Sequence, residues 1–246
     1  MLKIQMDKIN EHTKNTKKNE KNEKNENNEN NENNKNNNNN KMKTSYLEII
    51  LGCMYSGKTS KLVEIYKQCQ FCNIPVAVIN HSIDKRYDDN LLSTHDKVMI
   101  PCIQTNKLID VWYYNDNNIN NDDNSNTTHL KFLDDSVKLI NADVILINEG
   151  QFFDDLYPAV KHMLRHGKQI YIGGLDGDFE RKRFGQILDL IPLCDKVTKL
   201  TSLCSLCKNG SPGIFSKRIT SEKKQTIVGS DNYIPVCRHC YEYDSR

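Results

Sequence analysis

The stretch Tyr46-Leu47-Glu48-Ile49-Ile50-Leu51-Gly52-Cys53-Met54-Tyr55-Ser56-Gly57-Lys58-Thr59 decides how this chain is read. Its first six residues are an apolar run suited to a buried strand, and the next eight fit G-x-x-x-x-G-K-[ST], a turn that opens a helix at Lys58. In such a phosphate loop the backbone N–H groups from Gly52 through Cys53, Met54, Tyr55, Ser56 and Gly57 surround phosphate oxygens. The helix N-terminus adds about half a positive charge. Lys58 is then placed to reach the β- and γ-phosphates, and the Thr59 hydroxyl to bind Mg²⁺. These features predict binding of a nucleoside triphosphate.

Outward from this stretch, short apolar runs alternate with longer amphipathic ones. A helix is expected from Lys58 to about Cys72, a strand at Val76–Ile79, a helix from Leu130 to Asn141 and a strand at Asp143–Ile147. A further helix runs from Leu156 to His166, with Gly167 suited to close it, and Gln169–Ile172 makes another strand. The segment Ile187–Leu193 is apolar without a decisive period. The alternation predicts an α/β fold, a P-loop-type, mainly parallel sheet with flanking helices over 44–198. After about Lys199 the composition shifts to Cys, Gly, Ser and Lys with short apolar runs. That shift marks a small, loop-rich C-terminal unit at 199–246, whose cysteine pairs make it a zinc-binding one.

Residues 1–43 contain 16 Asn with no apolar periodicity, and are expected to form a disordered tail. The tract 115–128 has similar composition and reads as a low-complexity insertion at the surface. The whole chain has 34 Lys and Arg against 32 Asp and Glu. The tail carries ten Lys against seven acids, leaving 24 basic and 25 acidic residues in the remainder. That balance argues against a nucleic-acid surface. No apolar run approaches the length of a membrane span and no export segment is evident, so a soluble, intracellular, cytoplasmic protein is expected.

In an open parallel sheet the ligand lies beyond the carboxyl ends of the strands, which points to Asn148-Glu149-Gly150-Gln151-Phe152-Phe153 after the Asp143–Ile147 strand. Asn148 stands where a metal-holding Asp is usual, and Glu149 is the only carboxylate of the six. It can take the proton of an attacking substrate hydroxyl, or it can be a solvated strand-end residue. Gly150 permits close backbone approach; Phe152 and Phe153 suit either stacking or the core. After the second strand, Asp84 could contact metal and Arg86 clamp phosphate, although a solvated loop at 81–87 is equally open, as it is for Asp176–Phe184.

Cys204-x-x-Cys207 and Cys237-x-x-Cys240 provide four thiolates for tetrahedral, structural Zn²⁺, with His239 as a lesser competitor. Cys69-x-x-Cys72 has the same spacing but falls on a helix, where Cys behaves as a small buried hydrophobe. The loop between the zinc pairs carries Thr226-Ile227-Val228-Gly229 and Tyr233, which could close over a second substrate.

Together, the Met54-Tyr55-Ser56-Gly57-Lys58-Thr59 loop, Glu149-Gly150-Gln151-Phe152-Phe153, Leu175-Asp176-Gly177-x-Phe179, Lys199-Leu200-Thr201 and Val228-Gly229-Ser230-Asp231-x-Tyr233 resemble the cytosolic, type II, zinc-containing thymidine kinases. The resemblance runs from about Tyr46 to Tyr241. It implies transfer of the γ-phosphoryl of ATP to the 5′-hydroxyl of thymidine, and of deoxyuridine, in nucleotide salvage for DNA synthesis. By position, Glu149 matches the general base, with Lys58 and Arg86 neutralising charge. Gly52–Thr59, Asp84, Lys85, Arg86, Asn148, Gly150 and Gln151 fall to the ATP and Mg²⁺ side. Met54, Phe152, Phe179 and Tyr233 fall to the nucleoside side. Lys224, Gln225, Thr226, Ile227 and Val228 match a covering lasso whose main chain binds the thymine edge, and the four Cys match the zinc ligands. The resemblance further implies a homotetramer inhibited by thymidine triphosphate.

One departure stands out: the family generally carries Asp before the catalytic Glu, and this chain carries Asn148. A raised Mg²⁺ requirement is expected. Two rival readings are a P-loop ATPase with a nucleic-acid-binding zinc ribbon, which the charge balance opposes, and a catalytically weak nucleoside sensor, which Asn148 would suit.

Overall fold

Buried parallel strands must be apolar on both faces, and strand β1, Tyr46–Gly52, is buried along all but its first residue. The computed structural model describes residues 44–84, 91–93, 98–112, 126–222, 224–225 and 232–243. Accordingly, the expected tail at 1–43 and most of the expected insertion lie outside the described residues. Its last three residues belong instead to a helix that starts at Asn126, four residues earlier than the apolar spacing suggested.

Strand β1 is followed by helix α1 (Lys58–Phe71) and then by β2 (Val76–His81). β3 (Leu91–Ser93) and β4 (Met99–Pro101) pair antiparallel beside the sheet. Next come β5 (Ile103–Thr105), α2 (Leu108–Trp112), α3 (Asn126–Asn141), β6 (Val144–Ile147), α4 (Leu156–Arg165), β7 (Gln169–Gly174) and β8 (Lys196–Leu200). Six strands form one sheet in the order β5-β2-β6-β7-β1-β8, and every pairing in it is parallel. This is the expected α/β architecture.

Alternation along the strands divides the core between the two faces. Leu47, Ile49 and Leu51 share one face with Ile79, Ile145, Ile147, Ile170 and Ile172, packed against Leu139 of α3 and Leu156, Val160 and Met163 of α4. Ile50, Val78, Val144 and Leu146 face Leu62, Val63 and Ile65 of α1. Glu48, on the second face, is buried but compensated: it accepts from Thr198 Oγ1 at 2.6 Å, Lys196 Nζ at 3.1 Å and the Tyr46 hydroxyl at 3.1 Å. Two helix ends are closed locally. Gly167, at φ +70°, follows α4 as expected, and the Lys168 ammonium donates to the Ile140 and Ala142 carbonyls, both at 2.6 Å, at the end of α3.

The segment Ile187–Leu193, whose type the sequence left open, is a 3₁₀ helix containing Pro192. Beyond β8 the elements shorten. β9 (Ser202–Leu203) pairs antiparallel with β10 (Pro212–Gly213), β11 (Phe215–Arg218) with β12 (Tyr233–Val236), and α5 (Arg238–Tyr243) follows. Among the described residues, no helix is long and apolar enough to cross a membrane.

Candidate active site

The phosphate loop is built as its spacing requires. Gly57 takes a left-handed φ of +88° immediately before α1, and Gly52 allows an approach no other residue could make. A Cβ there would collide with the Ser56 side chain and the Leu200 carbonyl oxygen. Lys58 is buried and donates from Nζ to the Cys53 carbonyl at 2.7 Å, which holds its ammonium within the loop. Two further bonds attach the loop to the C-terminal strands. The Cys53 thiol, pushed up by burial and therefore protonated, donates to the Gly213 carbonyl at 3.1 Å, and Met54 N donates to Ser216 Oγ at 3.0 Å.

The end of β6 meets this loop through one side chain. Thr59 Oγ1 donates to Asn148 Oδ1 at 3.3 Å, while Asn148 Nδ2 donates to Asn80 Oδ1 at 2.9 Å. Asn80 and Asn148 are both buried. With its hydrogen directed to Asn148, the Thr59 oxygen keeps its lone pairs for a metal ion. Thr59 and the Asn148 carbonyl oxygen are hard donors, the kind Mg²⁺ takes alongside nucleotide phosphates.

Glu149 follows at a left-handed φ of +55°, a conformation that costs a residue with a Cβ about 1–2 kcal/mol. Its carboxylate is only half-buried and accepts from Gln151 Nε2 at 2.7 Å; Gln151 Oε1 in turn accepts from Leu175 N at 2.9 Å. The strained backbone therefore turns Glu149 out of the core, and Gln151 fixes its orientation. Phe153 is fully buried and belongs to the core, one of the two alternatives left open for it. Phe152 is half-buried, edge-on to Phe184 at 5.4 Å and beside His81 at 5.7 Å. Asp84 closes a turn through its N–H to the His81 carbonyl at 2.9 Å. Lys85 and Arg86 lie outside the described residues.

A second group assembles around Phe179 and Tyr233. The Arg218 guanidinium lies 3.7 Å from the Phe179 ring centroid and 5.0 Å from that of Tyr233, whose hydroxyl it also contacts. Its NH1 donates to the carbonyls of Glu222 at 2.8 Å and Lys224 at 2.6 Å, and its NH2 to that of Gln225 at 3.1 Å. Gln225 Nε2 donates to Asp178 Oδ2 at 2.7 Å. Phe179, Lys224, Gln225 and Tyr233 are thus brought together. Thr226, Ile227 and Val228 lie outside the described residues.

The Sγ atoms of Cys204, Cys207, Cys237 and Cys240 all lie within 4.8 Å of one another. Tetrahedral zinc with bonds of about 2.3 Å needs sulfurs about 3.8 Å apart, so these residues fit that ion with little adjustment. Burial would raise Cys204, but N–H bonds from Cys207, Cys237 and Leu206 pull its thiol down to about 6. Burial and the neighbouring thiols of Cys237, Cys204 and Cys207 push Cys240 up to about 12. His239 lies tilted against the Tyr243 ring at 5.1 Å and is not one of the clustered groups. The Cys69-x-x-Cys72 pair divides: Cys69 is buried as expected, whereas Cys72, at the C-terminal cap of α1, is exposed.

Several contributing residues carry no signal in the sequence. Asn80, Ser216 and Arg218 act through partners distant in the chain, namely Asn148, Met54 and Phe179. Arg218, next to Lys217, looks like one more solvated charge.

A family model described as thymidine kinase matches residues 45–120 and 110–241. The chain is 39% identical over 200 residues to the thymidine kinase of Yaba monkey tumor virus, a match covering 81% of this chain and 96% of that protein. It is 38% identical over 201 residues to the thymidine kinase of sheeppox virus, covering 81% and 98%. With thymidine kinase 1 of Dictyostelium discoideum it shares 36% over 203 residues, covering 80% and 78%.

Proposed function

This chain belongs to the thymidine kinase family, and we infer from that membership and its site geometry that it transfers the γ-phosphoryl of ATP to the 5′-hydroxyl of thymidine, yielding thymidine monophosphate and ADP. The observation that carries this reading is the Thr59–Asn148 hydrogen bond. It joins the last residue of the phosphate loop to the residue preceding the only carboxylate at that strand end.

Phosphoryl transfer passes through a loose transition state, so alignment and charge neutralisation do most of the work. The backbone of 52–57 and the Lys58 ammonium, held at the Cys53 carbonyl, receive the triphosphate. Thr59, with Asn148 behind it, would hold Mg²⁺, which when bound offsets charge on the β- and γ-oxygens. Arg86 is assigned the same sign of contribution, and Asp84, Lys85, Gly150 and Gln151 the lining of the ATP side. Glu149 accepts the hydroxyl proton as the new P–O bond forms, its orientation set by Gln151. Met54, Phe152, Phe179, Tyr233 and the 224–228 segment enclose thymidine. The four Cys would hold structural Zn²⁺, because four protein thiolates suit a tetrahedral ion that stabilises the module and takes no part in the reaction. Deoxyuridine as a second acceptor, homotetramer assembly, inhibition by thymidine triphosphate and a cytoplasmic location complete the proposal by family resemblance. Neither rival reading gains support from the site: the nucleic-acid ribbon lacks a basic surplus, and the sensor reading would leave an oriented Glu149 unused.

The test is ADP release with and without thymidine, for the parent and for Glu149→Gln. Gln can keep the bond to Gln151 while losing basicity, so binding of thymidine should change little and turnover should fall about a hundredfold or more. Thymidine-independent ADP release by the parent would reject the kinase reading, and undiminished turnover in the variant would reassign the base.

A further inference from the structure

Arg218 occupies the last position of β11, paired in register with Tyr233 of β12, yet its side chain gathers groups well beyond that pair. A guanidinium has five N–H donors and two flat faces. Here the donors of NH1 and NH2 reach three consecutive-region carbonyls, those of Glu222, Lys224 and Gln225, as well as the Tyr233 hydroxyl. One face covers Phe179 at 3.7 Å. No other side chain type could satisfy three converging carbonyls and stack on a ring at once; an ammonium has the charge but not the plane.

The surrounding bonds lock the same residues from the opposite side. Gln225 is held by Asp178 Oδ2, and Asp178 Oδ1 accepts the N–H groups of Glu180 and Lys182, both at 2.9 Å. The Phe179 carbonyl accepts from the Tyr241 hydroxyl at 2.6 Å. Arg218 therefore contacts Phe179, Tyr233 and the main chain of 224–225 together.

We propose that Arg218 is a positioning residue of the nucleoside site: it sets the spacing between the Phe179 and Tyr233 rings and turns the Glu222, Lys224 and Gln225 carbonyls toward itself, so deciding which main-chain groups remain for the base. It does not touch the phosphates or the reacting hydroxyl. The proposal rests on the reading that Phe179, Tyr233 and 224–225 enclose thymidine.

That dependence fixes the experiment. Steady-state kcat and KM for thymidine and for ATP are measured on the full chain for Arg218→Ala, Arg218→Lys and Phe179→Leu, with zinc content and melting temperature recorded for each. Losing several charge-assisted bonds should raise the thymidine KM of Arg218→Ala by about tenfold or more, with the ATP KM within about twofold of the parent. Arg218→Lys should recover only part of the loss, and added methylguanidinium should restore thymidine KM in the Ala variant but not in Phe179→Leu. An unchanged thymidine KM in Arg218→Ala, or equal rises for both substrates, overturns the proposal while a raised KM in Phe179→Leu leaves the site reading standing. No thymidine defect in either position overturns the site reading itself. If Arg218→Ala loses its zinc or fails to fold, Arg218→Lys decides: a thymidine-specific defect in a folded, zinc-loaded protein supports the assignment, and parental kinetics refute it.

Discussion

Asn148 has two jobs that a carboxylate would perform differently. Its amide donates to Asn80 and its carbonyl oxygen accepts the Thr59 hydroxyl. Asp at this position would still accept from Thr59 but would confront the Asn80 carbonyl oxygen until Asn80 turned its amide over, a rearrangement that keeps one bond at this buried pair. The added charge would then lie beside the place where Thr59 presents its lone pairs. Asn148→Asp should therefore lower the Mg²⁺ concentration for half-maximal rate by about tenfold, equivalent to about 1.4 kcal/mol, with rates converging at saturating Mg²⁺. The check is a rate-against-Mg²⁺ titration of parent and variant at fixed ATP; superimposable curves would mean that position 148 has no bearing on the metal. The residue scale is also where sequence reading is strongest for spaced motifs. Gly52, Lys58 and Thr59 could be assigned because each chemical role has a fixed offset along one turn. Asn80 could not, since its importance comes from a partner 68 positions away.

The element that presents Glu149 is a single 3₁₀ turn, Gly150–Phe152, and its support comes from a different loop. Gly185, at φ +61°, packs so closely that a Cβ there would overlap the Gln151 carbonyl oxygen and lie 2.9 Å from its carbonyl carbon. Neither neighbour is a movable side-chain tip, so Gly185→Ala must displace one of the two loops. The expected loss of stability combines about 1–2 kcal/mol of left-handed strain with about 1–3 kcal/mol of overpacking. Turnover should drop as well, because Gln151 orients the Glu149 carboxylate. Gly177→Ala in the same region is the control: its nearest contact would be 3.4 Å, an ordinary separation, so its denaturation midpoint and turnover should stay close to the parent's. Equal effects of the two substitutions would detach Gly185 from the site. The legibility of the elements follows similar physics. The central strands β1, β2, β6 and β7 announce themselves as mainly apolar runs because both faces are covered. The edge strands do not. β8, Lys-Val-Thr-Lys-Leu, is half-exposed and alternates like a surface segment, β5 is only three residues long, and Pro192 masks the period of the 3₁₀ segment before β8.

Residues 44–246 form one unit that contains both the small cysteine-rich module and the sheet. The module's own apolar core consists of Cys204, Val236 and Cys240 with Leu206, Phe215, Ile234, Cys237 and Tyr241 around them. Its strands are two to four residues long, and on the proposal that the four Cys hold zinc, the ion would supply about 10–16 kcal/mol toward so small a fold. The sheet, by contrast, has two extensive core layers of its own. The module nevertheless bonds to the phosphate loop, through Ser216 to Met54 N and Gly213 to the Cys53 thiol. Stripping zinc should accordingly produce a local, not a global, unfolding. Trp112 reports on the sheet side, because its indole is buried in that core and donates to His162 Nδ1 at 2.7 Å. Removing zinc from the full chain with a thiol-displacing reagent and a chelator should abolish thymidine phosphorylation and weaken ATP binding, while Trp112 emission stays at its native wavelength. Zinc and reductant added back should restore activity. A red shift of Trp112 in step with zinc release would instead mean that the sheet cannot stand without the module, and that the two fold as one cooperative body.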